Sequence, residues 1–371
     1  MSVNFRINKA ILQPLLARTL GVVPSSAALP ILQCFQIHCS PGYISVTATN
    51  FDSSIRAASS EIHTLDTFTA VFPAKRLNSI ISKTDSGDIE VEIDNSVATI
   101  TSGSAVWQLQ LPVGDSFPEM PTEYSLTEVD DLSRFREALI SVRRCAATDT
   151  VRASLCMVHV AKGKMTACDS IRFAQAKLGD FFPNTLEFDI PAGASDYLVQ
   201  LLKDSTEDTF NIGLSESHLV FKVGSVHLYF NKLLAKYPNV EQIMLRPALE
   251  NKTLLTVDKA ELLKAIARVR INADPSTEAI GLAISPKSVT ITSRDSNGNG
   301  AADTIPAQWP SKDRLLIVNY LFLTQLVSNS SGEVCNIHLG DDTKSRKSVI
   351  LIKEDEYLAL VPQTSGNLRV F

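Results

Sequence analysis

The residues here that could catalyse a reaction are carboxylates, thiols and histidines, and their spacing assigns them no common centre. Adjacent acids occur at Asp341-Asp342 and Glu354-Asp355-Glu356, in stretches that read as solvated turns. Metal-assisted phosphoryl chemistry would need acids gathered around two ions. Asp52, Asp169 and Asp295 recur at matching places along the chain, which makes them a turn feature of a repeating unit. The six cysteines (Cys34, Cys39, Cys145, Cys156, Cys168 and Cys335) form no CxxC and have no histidine at ligand spacing. Buried reduced thiols are expected of them, with a disulfide framework or a zinc site as the alternative. No P-loop, GxGxxG, G-x-S-x-G or HExxH is present. The chain therefore reads as a non-catalytic protein with no cofactor and no metal.

The basic residues suggest a different chemistry, the neutralisation of phosphate. Net charge is −5, yet the six segments that read as helices hold fourteen Lys or Arg against five Asp or Glu. A basic helical layer on an acidic chain is the electrostatic footprint of a nucleic-acid face.

Those helices belong to a pattern that occurs three times, at a period of ~120 residues. Each copy opens with an amphipathic helix, over Asn8–Leu20, Asp131–Ala146 and Asp258–Ile271. Apolar residues there recur at three and four, as in Leu132, Phe135, Leu139 and Val142. Alternating strands follow, joined by tight turns at Pro41-Gly42, Lys162-Gly163 and Pro286-Lys287. A second helix is expected over Pro73–Lys83, Pro191–Lys203 and Asn319–Asn329, and the first two open with Pro-Ala, which suits a first helical turn. A strand meander closes each copy. Proline-bearing connectors separate the copies, giving an α+β chain of three repeated domains, 1–125, 126–250 and 251–371, the last with a C-terminal tail.

Equal units joined by short linkers tend to be related by a regular rotation, which either closes or makes a filament. Two chains would supply twelve helices, and at ~10 Å between axes these make a circle ~38 Å across. Subtracting one helix diameter leaves a hole of ~27 Å, wide enough for hydrated duplex DNA. Binding of that kind would be sequence-independent and salt-sensitive. A protein-interaction scaffold that never encloses DNA is the alternative. No apolar run reaches bilayer length and the N-terminus lacks a cleavable apolar core, so a cytoplasmic location and no membrane are expected.

Several segments resemble the bacterial sliding clamp family, the beta subunit of DNA polymerase III. They include Leu29-Pro30-Ile31-Leu32, Val71-Phe72-Pro73-Ala74-Lys75 and Asp115-Ser116-Phe117-Pro118. The run Ala167-Cys168-Asp169-Ser170-Ile171-Arg172-Phe173 looks like that family's TDGHRL segment. Lys236-Tyr237-Pro238, Leu245-Arg246-Pro247 and Tyr357 to Pro362 complete a match that runs end to end. The resemblance implies six domains in a ring, formed by a head-to-tail homodimer. It also implies duplex DNA, a clamp loader, the DNA polymerase III catalytic subunit and other proteins with short clamp-binding peptides as partners.

Carried over by position, the peptide-binding groove comprises Leu155, Cys168, Ser170, Ile171, Arg172 and Phe173, with Pro238, Ile243, Leu360, Val361 and Pro362. Arg172 is expected to frame its mouth. The DNA-facing set is Lys9, Lys75, Arg76, Arg136, Arg143, Arg144, Arg152, Lys203, Lys264 and Arg268. Val106, Trp107 and Leu109 would meet Ile271 and Asn272 of a second subunit, with Asn272 unusually polar for such a seam. The sequence departs from the family at Ser170 (usually glycine) and Ile171 (usually histidine). It departs again at Ser26 and at Ala153-Ser154, where DNA-contacting arginine and tyrosines are missing. Leu368 and Phe371 of the tail are spaced rather like a partner peptide.

Overall fold

The structure, a computed structural model, describes residues 3–62, 67–85, 87–112, 116–245, 253–340 and 349–364. Asp115, Arg246-Pro247, Asp341-Asp342 and the tail residues Leu368 and Phe371 lie outside them.

Among the described residues the chain runs three times through one order: a strand, a helix, four strands, a second helix and three strands. The repeats begin at strands Val3–Asn8, Ser125–Val129 and Thr253–Asp258. Their helices are α1 Lys9–Leu20, α2 Ala74–Lys83, α3 Leu132–Arg143, α4 Ser195–Lys203, α5 Lys259–Val269 and α6 Tyr320–Ser328. The six expected helices are thus present, with ends shifted by a few residues. The expected turns also form, between Ser40 and Tyr43, Ala161 and Lys164, and Ser285 and Ser288.

Local sequence explains the elements. In α5, Leu262, Ala265, Ile266 and Val269 are buried at helical spacing, and the Asp258 carboxylate accepts from the Glu261 amide at 2.8 Å to cap its start. Strand Asp88–Asp94 alternates buried Ile89, Val91 and Ile93 with exposed acids. Pro73 stands just before α2, and Pro191 just before a short 3-10 turn, Ala192–Ala194, that leads into α4. In the third repeat, Asn319 stands just before α6 and accepts from the amides of Leu321 and Phe322.

One contact recurs in every copy. The first amide of the opening helix donates across to the chain just after the second helix: Lys9 to Gly87, Leu132 to Asp208 and Lys259 to Glu333, each at 2.8 Å. In the first and third copies the lysine Nζ also reaches the end of the second helix. Lys9 donates to the carbonyls of Ser82 (3.3 Å) and Thr84, and Lys259 to that of Ser330. A cation there meets the negative end of the helix dipole.

The residues gather into two compact bodies, 1–133 with 194–233, and 134–193 with 234–371. These bodies do not coincide with the repeats, because sheets run across the repeat boundaries. In the first body, the fourth strand of repeat one (Ser53–Ser59) pairs with the eighth of repeat two (Val226–Asn231), Ile55 opposite Leu228. In the second, the fourth strand of repeat two (Phe173–Lys177) pairs with the eighth of repeat three (Tyr357–Pro362), Phe173 opposite Leu360. The results are an eight-stranded and a twelve-stranded antiparallel sheet; a four-stranded sheet completes the first body.

Candidate functional site

Within the second body, strand pairing places Phe173 opposite Leu360, Leu360 opposite Leu351, and Pro362 opposite Val349. Residues so paired share a face. That face is an apolar cluster of Leu155, Cys168, Phe173, Leu351 and Leu360, joined by Ala147, Val240 and Leu245. Val361 alternates to the other side of its strand and is 1% exposed, so it lines no groove on this face.

The segment Tyr237–Leu245 forms one wall. Tyr237 stacks on His159 at 4.7 Å between ring centroids, and His159 Nδ1 meets the Asp189 carboxylate at 2.8 Å. Glu241 binds Lys164 at 3.3 Å and accepts from Gln175 at 2.5 Å. Met244 Sδ lies 3.1 Å from Cys168 Sγ. Held this way, the wall leaves Ile243 69% exposed above buried Val240 and Leu245, beside half-buried Pro238. Ile171 is 49% exposed and Val151 91%.

The loop between strands Lys164–Cys168 and Phe173–Lys177 turns on Asp169. Its carboxylate accepts from the amides of Ile171 and Arg172, both at 2.9 Å. Ser170 sits at φ 74°, which explains why glycine suits this place. Arg172, expected to frame the mouth, is held on both sides. Its side chain is 15% exposed, bound to Asp169 at 2.9 Å and to Gln325 of α6 at 2.5 Å, with Phe322 beneath it. Arg152, expected to face DNA, donates to the Asp169 carbonyl at 3.0 Å and steadies the same loop.

Equivalent loops occur in the other repeats, where Asn50 accepts from the Ser53 amide and Asp295 from those of Asn297 and Asn299. The recurring turn residue of the first repeat is therefore Asn50, not Asp52. The thiols suit structure better than reaction. Burial pushes Cys168 up to about 11 and Cys145, Cys39 and Cys335 to about 12. Among the described residues no group of three or more His, Cys, Asp or Glu is placed to hold a metal.

The basic helix residues divide by partner. In the first body α2 exposes Lys75, Arg76 and Lys83, α1 exposes Arg18, and α4 exposes Lys203. None of these five has an ion-pair partner among the described residues; Lys75 makes one long 3.5 Å contact, to the Ser25 carbonyl. Lys9 is half-buried and spent on its helix end, which removes it from the expected DNA-facing set. In the second body Lys264 pairs with Glu261 at 3.1 Å and Arg268 with Asp303 at 2.5 Å. Arg136 and Arg143 are half-buried and Arg144 is exposed. Arg143 is lowered by burial and by Arg144 beside it.

Among the open sheet edges of the described residues, one belongs to an eighth strand, and part of a fourth strand is also open on one side. Ala105–Gln110 pairs on one side only, with Val97–Ser102. Along Gly300–Pro306 the strand pairs only with Ser288–Arg294, before Ala307 and Gln308 meet Val257 and Thr256. On the first edge Val106 is 61% exposed and Trp107 half-buried, while Leu109 is 2% exposed and supports the edge from within, contrary to expectation. Beside the second edge Ile271 is 80% exposed. Asn272 donates to the Gly300 carbonyl at 2.9 Å, so its polarity serves the end of that strand.

Known proteins share this arrangement. The family model for the DNA polymerase III beta subunit, N-terminal domain, matches residues 3–121. A beta sliding clamp of Synechococcus elongatus is 24% identical over 336 residues, covering 86% of this chain and 88% of that protein. One from Bacillus subtilis is 26% identical over 286 residues, covering 73% and 74%. A DnaN sliding clamp of Bartonella birtlesii, solved bound to griselimycin, superposes with a TM-score of 0.88 at 21% identity, over 99% of this chain and all of that one. The Thermotoga maritima DNA polymerase III beta subunit gives 0.85 at 20% identity, over 98% and 100%. The family model thus matches the first third of the chain, and the fold of beta sliding clamps matches it end to end.

Proposed function

We propose that this chain is a non-catalytic processivity factor of three clamp domains, 1–125, 126–250 and 251–371. Two copies would close head to tail into a cytoplasmic ring around duplex DNA. The observation that carries this reading is the pairing rule between repeats. A fourth strand accepts the eighth strand of the next repeat, twice within the chain. The rule leaves one eighth strand, Ala105–Gln110, and most of one fourth strand, Gly300–Pro306, open on one side. A second copy satisfies both edges in the same way, and a regular rotation then closes.

The unpaired cations on α1, α2 and α4 support the phosphate-facing role, above all Lys75, Arg76 and Lys203. The apolar cluster under Ile171 and Ile243 supports a docking groove for short peptides of a polymerase, a clamp loader and other partners. Linearising a nicked circle after loading tests the ring. The protein should then slide off the ends, whereas a scaffold held by surface contacts stays bound at low salt. Sedimentation provides a second test, because a stable monomer at micromolar concentration would contradict closure.

A further inference from the structure

In the first body, Thr47, Arg56, His227, Lys222, Asn211 and Glu128 form one row across the eight-stranded sheet. Directly paired residues bring Cβ atoms within about 4.5–5.5 Å on one face, and like charges there destabilise a sheet. Three basic residues nevertheless stand side by side. The first carboxylate of the row, Glu128, lies two strands beyond Lys222. Neither Arg56 nor Lys222 has a carboxylate partner among the described residues; Arg56 Nε reaches only Thr47 Oγ1, at 3.4 Å.

Two tyrosines hold the middle of the row. Tyr124 lies across Gly213, where an added Cβ would meet its ring at 2.7 Å. Its hydroxyl lies 2.9 Å from His227 Nδ1, and, as a phenol donates more readily than it accepts, the hydroxyl is assigned as the donor. Tyr229 is 1% exposed, its hydroxyl is 3.3 Å from the same nitrogen, and the Arg56 guanidinium lies 5.8 Å from its ring centroid. With Nδ1 accepting, the imidazole proton belongs on Nε2. That N–H has no acceptor among the described residues. Burial first, then Lys222 and Arg56, lower His227 to about 4, so the ring is neutral at pH 7 between two cations.

We propose that Arg56, Lys222 and the Nε2–H of His227 form a binding site for a phosphate-class oxyanion on this face of the sheet. The two cations supply charge-assisted hydrogen bonds, and Tyr124 and Tyr229 fix the imidazole as the third donor. Gly213 is a positioning residue, because only a residue without a Cβ lets Tyr124 lie flat. A chain of net charge −5 attracts anions poorly in general, so binding here would reflect the local row.

Imidazole NMR spectra of the full chain, titrated with sodium phosphate against sodium chloride at equal ionic strength, test the site. His227→Gln assigns the signal among the six histidines. Phosphate should shift it saturably and raise its titration by about one pH unit, since an anion offsets Lys222 and Arg56. Arg56→Gln and Lys222→Gln should each weaken the response by about fivefold or more. Gly213→Ala should weaken it with no charge removed, and thermal melts confirm that each variant is folded. Adenosine monophosphate forms the second arm: a tighter response than phosphate assigns a nucleotide, and an equal one assigns free phosphate. A His227 response no larger than that to chloride, or one untouched by the Arg56 and Lys222 substitutions, overturns the assignment.

Discussion

The Arg172 guanidinium lies 4.3 Å from the centroid of the Phe322 ring. The same group binds Asp169 at 2.9 Å, so one side chain fastens the Asp169 loop to α6. Truncation would leave the Asp169 carboxylate half-satisfied and a ring face bare. Arg172→Ala should cost about 2–3 kcal/mol in urea unfolding and weaken peptide binding. Arg172→Lys should recover less than half of that, because a point charge cannot both fork and stack. Full recovery by lysine would remove the geometric part of this account.

Ser170 next to it is held at φ 74°. A left-handed L-residue costs about 1–2 kcal/mol, partly offset in any glycine variant by chain entropy. Ser170→Gly should therefore raise stability by up to about 1 kcal/mol, seen as a thermal midpoint a few degrees higher. An unchanged or lower midpoint would contradict strain at this turn.

Ile243 offers a cleaner probe of the groove than its buried neighbours do. It is 69% exposed, so Ile243→Arg should alter folding stability by less than about 0.5 kcal/mol. Affinity for a fluorescent clamp-binding peptide should drop about tenfold or more, as a charge is forced onto an apolar rim. If affinity survives intact, the peptide path runs elsewhere.

Val106 and Ile271 are both exposed beside open strand edges. Val106→Glu and Ile271→Glu should each raise the dimer dissociation constant by about tenfold or more, read by sedimentation equilibrium. Leu109→Ala should act differently. Buried in its own chain, it should lower monomer stability by about 2–4 kcal/mol.

His227 gives a pH signature. Its folded value is lowered to about 4, while an unfolded histidine titrates near 6.5. Between those values the unfolded chain binds the extra proton, so stability is complete above about pH 6.5 and falls as pH drops toward 4. The loss from this one group should be roughly 1–3 kcal/mol. In His227→Gln the acid limb of the stability profile should flatten by that amount, with phosphate left out of the buffer.

The repeats were readable in the sequence because their helices keep a 3.6-residue period and their hairpins end in residues that favour tight turns. Leu155, Cys168, Phe173 and Leu360 were reachable through the family resemblance, and the structure brings them into one cluster. Val240, Met244 and Leu245 were not assigned to it, since their proline-bearing connector has neither helical nor strand periodicity to show which side chains turn inward; only Pro238 and Ile243 there were carried over by position. Only the connector's docking through Tyr237 and Glu241 reveals it as a wall. Charge was legible by residue but not by partner. Arg268 reads as a helix cation until Asp303, on a strand 35 residues away, takes it up. Lys9 likewise reads as surface charge, although it closes the end of a second helix. Leu109 and Val361 were misplaced by one step of strand alternation, which resemblance by position does not resolve.

The sheets that cross from one repeat to the next have a bearing on how assembly responds to dilution. Wherever the linker is covalent, a seam forms at the effective concentration of two tethered strands, typically millimolar for short connectors. No change in cellular abundance can then loosen those two seams. The open edges at Ala105–Gln110 and Gly300–Pro306 have no tether, so a third seam of the same design would follow mass action alone. In a ring of two copies, weakening or strengthening that seam would tune how long the ring persists without disturbing how each chain folds.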